Sequence, residues 1–393
     1  MHRSDDQPGV RLLSALLLLW LAGVALRLTI LAVPPVIPLI HADLHLSETQ
    51  VGILSGLPMV LFAGAAVAGS LLIARLGALT ALLIGLLLCA AGSAVRGIGP
   101  HIAVLYFGTI VTAFGVAVMQ PALAPLVRAW APQRIGFATA VYTNGLIIGE
   151  ILPAALTIPL VLPLLRQSWQ WDFVFWAAPV LLIAAIISGF APRTRVATTT
   201  SPQWLPDFRS GLLWRIGLLL GSVNATYFAL NGFLPDYLTH TGRPDLIHAG
   251  LTALNLGQLP ASFLLLASAD RMVRTMWSYL GCGLICLVSV LAIMLGGVWV
   301  VIGAAVWGCA AAAILVLVLA LPPLISPAGD VHRFTAGMFT LSYSCAVVVP
   351  IIGGALWDLT GWTLAPFIPI VFCMLVVIGL APTIVLRDKA AHS

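Results

Sequence analysis

Apolar residues run along this chain in long continuous blocks, and polar residues come mostly as brief punctuation between them. The blocks are continuous rather than alternating, which speaks against barrel strands. Backbone polar groups cannot be left unpaired in lipid, so lone spanning strands are excluded too. A helix crossing about 30 Å of hydrocarbon needs about 20 residues. Twelve blocks reach such a length, at 12–40, 49–73, 77–98, 101–128, 135–162, 171–191, 212–237, 247–268, 275–295, 297–322, 334–357 and 363–386. The pattern predicts an all-α integral membrane protein with twelve transmembrane helices. The longest interruption, residues 192–211 (APRTRVATTTSPQWLPDFRS), leaves six blocks on either side. It predicts an N-terminal six-helix bundle over 1–191, a central cytoplasmic loop over 192–211 and a C-terminal six-helix bundle over 212–393. The first block is too long for a cleavable signal and lacks a small-residue cleavage pattern, so it reads as a span.

Composition narrows the class further. The chain has 393 residues, 61% hydrophobic and 8% charged, with a mean hydropathy of +1.09. Soluble proteins carry about 25% charged residues, so this chain belongs to the lipid bilayer. With both termini inside, Arg3, Arg11, Arg75, Arg128, Arg134, Arg193, Arg195, Arg209, Arg215, Arg271, Arg274, Arg333, Arg387 and Lys389 fall on the cytoplasmic side. Only Arg96, Arg166 and Arg243 fall opposite. That bias follows the positive-inside rule, supports an even number of spans, and points to an inner (plasma) membrane with both termini cytoplasmic. The net charge of +5 therefore reports topology. No basic stripe with interleaved aromatics exists to bind nucleic acid.

One cation escapes this distribution. Arg27 is the only charge in the first block, fifteen residues after Leu12, or about 22 Å along a helix. An arginine facing lipid at that depth costs between about 3 and 17 kcal/mol, depending on the method. It must therefore face water, a partner or a ligand. Glu150 lies fifteen residues beyond Ile135, at similar depth from the same side. Two readings are open. In one, Arg27 and Glu150 form a fixed ion pair that neutralises both. In the other, Arg27 binds an anionic or electron-rich substrate while Glu150 takes and releases a proton. The planar guanidinium fork suits carboxylate-like or nitro-like oxygens.

No metal or cofactor is expected. Cys282 and Cys286 share a helix face, but two thiols make no tetrahedral site. All six cysteines lie in apolar blocks and read as packing residues. His41 and His45 sit in the first outer loop and read as solvated. No G-x-x-x-x-G-K-[ST] loop is present, so energy would come from a gradient.

The two halves repeat one another. Loops after the second and eighth blocks, GSLLIARLGALT and LLLASADRMVRT, each place an arginine at the end of a span. APQRIGFATA and GDVHRFTAGM each place one at the opening of a later helix. The loop containing Asp270, Arg271 and Arg274 resembles the G-x-x-x-D-R-x-G-R-R signature of major facilitator superfamily transporters, with Val273 in place of its glycine. The first loop keeps Arg75 and Gly77, but Ala74 replaces the acidic residue and the basic pair is absent. The resemblance covers essentially the whole chain. It implies two pseudo-symmetric six-helix bundles, alternating access, action as a monomer, as is general among such carriers, and a switching role for Arg75, Gly77, Asp270, Arg271 and Arg274.

A narrower resemblance lies in Arg27, GVAVMQPALAPLVR in helix 4, NATYFALNGFLPDY in helix 7 and LTALNLGQLP in helix 8. Together these are similar to the cyanate and 2-nitroimidazole transporter family. In the superfamily fold, helices 1, 4, 7 and 10 line the cavity, so the resemblance implies a pocket around Arg27 completed by Gln120, Asn224, Tyr227, Asn231 and Gln258. Each of these polar residues can instead bond a neighbouring helix, worth about 0.6–2 kcal/mol. Tyr142, Thr143 and Asn144 are weaker candidates. Phe228 and Trp307 read as packing or anchoring residues. Pro34, Pro35 and Pro38, Pro121 and Pro125, and Pro322 with Pro323 are expected to interrupt helices 1, 4 and 10, as gates or static kinks.

The function expected is secondary transport of a small anion or polar nitro-heterocycle, coupled to protons. Broad-specificity drug efflux is an alternative, although a central arginine opposes cationic drugs. An intramembrane enzyme would need a nucleophile with its base or a set such as H-E-x-x-H, and none is present.

Overall fold

In lipid a helix satisfies its backbone within the segment, and the described residues follow that rule. The computed structural model describes residues 8–46, 48–192 and 204–384. Among these residues every regular element is helical. The first half comprises α1 (Pro8–Leu31), α2 (Val33–Leu44), α3 (Glu48–Leu76), α4 (Ala78–Arg96), α5 (Ile102–Trp130), α6 (Ile135–Leu156), a π-helical turn (Thr157–Val161), α7 (Leu162–Leu164) and α8 (Trp169–Phe190). The second comprises α9 (Gly211–His240), α10 (Ile247–Leu256), α11 (Gln258–Met272), α12 (Met276–Met294), α13 (Val298–Leu319), α14 (Leu321–Ile325), α15 (Val331–Thr360) and α16 (Phe367–Leu380). Among the described residues eleven stretches are long and apolar enough to cross a membrane, and a twelfth, Phe367–Thr383, is apolar but shorter. This is an all-α membrane protein of two pseudo-symmetric six-helix bundles.

The chain separates into two compact units, Met1–Pro206 with Ser326–Ala336, and Asp207–Ile325 with Gly337–Ser393. Glycines decide which helices approach closely within each unit. In the first, a Cβ on Gly85 or Gly115 would come within 2.7 Å of the other's carbonyl oxygen, and Gly92 and Gly108 form the same reciprocal pair, so α4 and α5 touch backbone to backbone. The second unit repeats the scheme. A Cβ on Gly303 of α13 would sit 2.7 Å from Ser289 O of α12, and one on Gly221 of α9 would sit 2.8 Å from Cys345 Sγ of α15. Small residues at such positions let helices pack where no hydrophobic force separates them from lipid.

Several sequence expectations are adjusted by the backbone. Pro121 and Pro125 lie inside an unbroken α5. Their missing N–H groups are tolerated because all of residues 115–127 are buried in protein. Pro322 and Pro323 do not end their helix outright, since α13 stops at Leu319 and they open the short α14. Pro34 and Pro35 do mark a break, between α1 and α2 at Ala32. α2 then runs to Leu44, so His41 lies in a helix rather than a loop, and only His45 caps it at φ +49°. Arg3, Arg193, Arg195, Arg387 and Lys389 lie outside the described residues.

Candidate functional site

Arg27 and Glu150 are brought together by a close crossing of α1 and α6. A Cβ on Gly23 would meet Tyr142 O at 2.0 Å, one on Gly145 would meet Trp20 O at 2.3 Å, and one on Gly149 would meet Val24 O at 2.2 Å. Gly145 and Gly149 form a G-x-x-x-G face that the partner backbone lies against. Glu150 follows directly, and its Oε1 stands 3.2 Å from Arg27 Nε. The Arg27 guanidinium also lies 5.9 Å from the centre of the Phe62 ring on α3, at the outer range of a cation–π contact. One helical turn or two away, Trp20 Nε1 donates to Asn144 Oδ1 at 3.0 Å, tying the same two helices. Neither charge is sealed off: the side chains keep 11% and 17% of their exposure. The arrangement is thus a charge pair deep in the span with an open edge.

The remaining sequence candidates fall in two groups. Gln120 is buried on α5 of the same unit. Asn224, Tyr227, Asn231 and Gln258 belong to the second unit. There, the Tyr227 hydroxyl donates to Asn255 Oδ1 at 2.7 Å, Asn255 Nδ2 donates to Asn231 Oδ1 at 3.1 Å, and Asn231 Nδ2 donates back to Tyr227 O at 2.9 Å. This partly exposed triad joins α9 to α10. Asn224 points elsewhere and donates to Ser342 Oγ on α15 at 2.7 Å. Gln258 opens α11, buried, with its Nε2 lacking a hydrogen-bond partner among the described residues. Asn255 was not singled out by sequence, although a lone amide within LTALNLGQLP is a signal of the same kind as Gln258.

The two repeated loops differ where their sequences differ. Gly77 caps α4 at φ +85°, a conformation that favours glycine. Its counterpart Val273 has φ −61°, so no glycine is required there. Arg75 ends α3, Asp270 and Arg271 end α11, and Arg274 follows in the turn.

A second charged cluster was missed. Arg96, counted among the outer-side cations, is the last residue of α4 and fully buried. Its Nη2 donates to Thr29 O at 2.8 Å and to Thr112 Oγ1 at 3.3 Å, and the guanidinium lies 4.6 Å from the Phe173 ring centre. Asp172, next to that ring, is fully buried as well. A lone aspartate within WQWDFVFW is the readable signal; charge counting takes Arg96 only as an outer-side cation at the end of its block. Among the described residues, no group of three or more His, Cys, Asp or Glu is placed to hold a metal.

Two repeated bundles of six apolar helices, each knit by glycine crossings and enclosing buried polar groups, define a membrane carrier. The family model of the Major Facilitator Superfamily matches residues 19–244, more than half of the chain, and the chain belongs to that superfamily of transporters. It is 27% identical over 373 residues to the uncharacterized transporter YycB of Bacillus subtilis, covering 93% of this chain and 91% of that one. It is 27% identical to the cyanate transport protein CynX of Escherichia coli, over 88% of this chain and 90% of that one. Identity to the 2-nitroimidazole transporter of the same organism is 26%, over 55% of each chain. Among solved structures, the E. coli fucose:proton symporter FucP superposes with a TM-score of 0.71 at 16% identity, over 97% of this chain and all of that one. The human organic anion transporter MFSD10 gives 0.72 at 17% identity, over 96% of this chain and 100% of that one. At such identities the likeness speaks of the fold.

Proposed function

We propose that this transporter moves a small anion or a planar nitro-bearing heterocycle across the plasma membrane by alternating access, with Arg27 as the group that meets the cargo. The observation that carries this reading is the Arg27–Glu150 pair, 3.2 Å apart at mid-span with both side chains still partly exposed. The open edge leaves the guanidinium, with its several fixed donors, accessible to a second anionic partner. An arriving oxyanion or nitro group competes with Glu150 for the guanidinium. Glu150, released, takes a proton, and that exchange couples transport to the proton gradient. Relatives named for cyanate and 2-nitroimidazole support both cargo classes. Gln120, buried on α5 of the same unit, adds a polar group to this half. The bias of basic residues supports cytoplasmic termini.

The test is uptake of labelled cyanate, nitrite and 2-nitroimidazole into proteoliposomes, with and without a pH gradient. Wild type is expected to carry at least one of them faster with the gradient. Arg27→Ala, present in equal amount, is expected to carry none. Full transport by that variant refutes the cargo role, and a wild type that carries none of the three refutes the substrate class.

A further inference from the structure

We propose that Arg96 is a positioning residue for the Arg27 site: it grips the broken end of α1 and so holds the turn that carries Arg27 in place. The proposal rests on the reading of Arg27 as the cargo contact. Its geometry does not. α1 stops at Leu31, just before Pro34 and Pro35, so Thr29 O is one of the last four carbonyls of that helix. The end of a helix carries partial negative charge, which a cation stabilises. Arg96 supplies that cation, with Nη2 at 2.8 Å from Thr29 O, two residues beyond Arg27.

Of the guanidinium nitrogens, Nη2 makes the hydrogen bonds, while Nε and Nη1 have no partner among the described residues. Thr112 Oγ1 accepts a second bond from the same nitrogen and in turn donates to Gly108 O at 2.8 Å. The Phe173 ring covers the guanidinium face. Gly108 leaves room for the stem, since a Cβ there would stand 2.6 Å from Arg96 Cγ. Had neutralisation of Asp172 been the purpose, the two groups would pair directly. Among the described residues, no carboxylate lies within 4.0 Å of Arg96. The strongest bond goes instead to the main chain of α1. Four helices, α1, α4, α5 and α8, therefore meet at one side chain, and the turn bearing Arg27 is the one it anchors.

Uptake of cyanate and of 2-nitroimidazole into proteoliposomes tests this through the split between KM and maximal rate. Arg96→Lys keeps the charge but loses the fork; Thr112→Val removes only the second bond. Arg96→Lys is expected to raise KM about fivefold or more, with the maximal rate per molecule within about twofold of wild type. In an Arg27→Lys background it is expected to add nothing, because its effect passes through the native Arg27. An equal rise in KM in both backgrounds overturns the proposal, as does a fall in maximal rate with KM unchanged. If Arg96→Lys does not survive purification, Thr112→Val decides: a KM raised about twofold supports the anchor, and an unchanged KM overturns it. Should Arg27→Lys itself leave KM unaltered, the cargo reading falls instead, which separates the two failures.

Discussion

Gly149→Ala is the smallest change that reaches the centre of this account. The new Cβ would stand 2.2 Å from Val24 O, against 3.4 Å for ordinary contact, so α1 and α6 must part by about 1.2 Å there. The obstructing atom belongs to the backbone and cannot rotate away. Overpacking against such an obstacle costs about 3 kcal/mol, while alanine regains about 1 kcal/mol of helix propensity over glycine. The net loss of about 2 kcal/mol lowers the melting temperature of a chain of 393 residues by about 2–3 °C. Because Glu150 is the next residue, the same displacement opens the 3.2 Å pair. Misplacement of about 1 Å at a working site can reduce rates up to about a hundredfold. Thermal melting of the purified protein and initial uptake rates measure both effects. Gly64→Ala is the control, since a Cβ there meets nothing within 4 Å, and it should match or slightly exceed wild type. Wild-type melting and uptake in Gly149→Ala, or an equal loss in Gly64→Ala, would show that the glycine crossing does not set the site.

The other predictions probe separate features. Glu150→Gln should abolish gradient-driven accumulation while leaving counterflow exchange at equal pH, measured in the same vesicles; loss of both would remove the proton role. Tyr227→Phe deletes the 2.7 Å bond to Asn255 and should lower stability by about 0.6–2 kcal/mol in thermal melts. Gly77→Ala forces φ +85° on an L side chain and should lose about 1–2 kcal/mol. Val273→Gly, at φ −61°, relieves no strain and should bring no gain in the same melts.

The block pattern makes the spans legible because lipid imposes length and continuity on them. Arg27 and Glu150 can be matched in depth for the same reason: each lies fifteen residues after the start of its apolar block, at Leu12 and Ile135. What a linear reading does not hold is the crossing itself. Gly145 and Gly149 are visible as a small-residue face, yet nothing in the string says that Trp20 and Val24 are the residues lying on it. Asn255 was passed over because an amide inside a span gains meaning only when Tyr227 and Asn231 arrive from another helix. Arg96 was misplaced for a subtler reason. A cation at a span end ordinarily reaches the interface, and only the fold reveals that Gly92 and Gly108 draw α4 and α5 close enough to bury it.

Equilibrium binding separates the central claim from every question of coupling or gating. Purified wild-type protein, titrated with cyanate and with 2-nitroimidazole and followed by heat of binding, should show a saturable site for at least one. That site should vanish in Arg27→Ala and persist, weakened, in Arg27→Lys. An unchanged Kd in Arg27→Ala would contradict the account, for the guanidinium would then stand apart from the cargo it is held to meet.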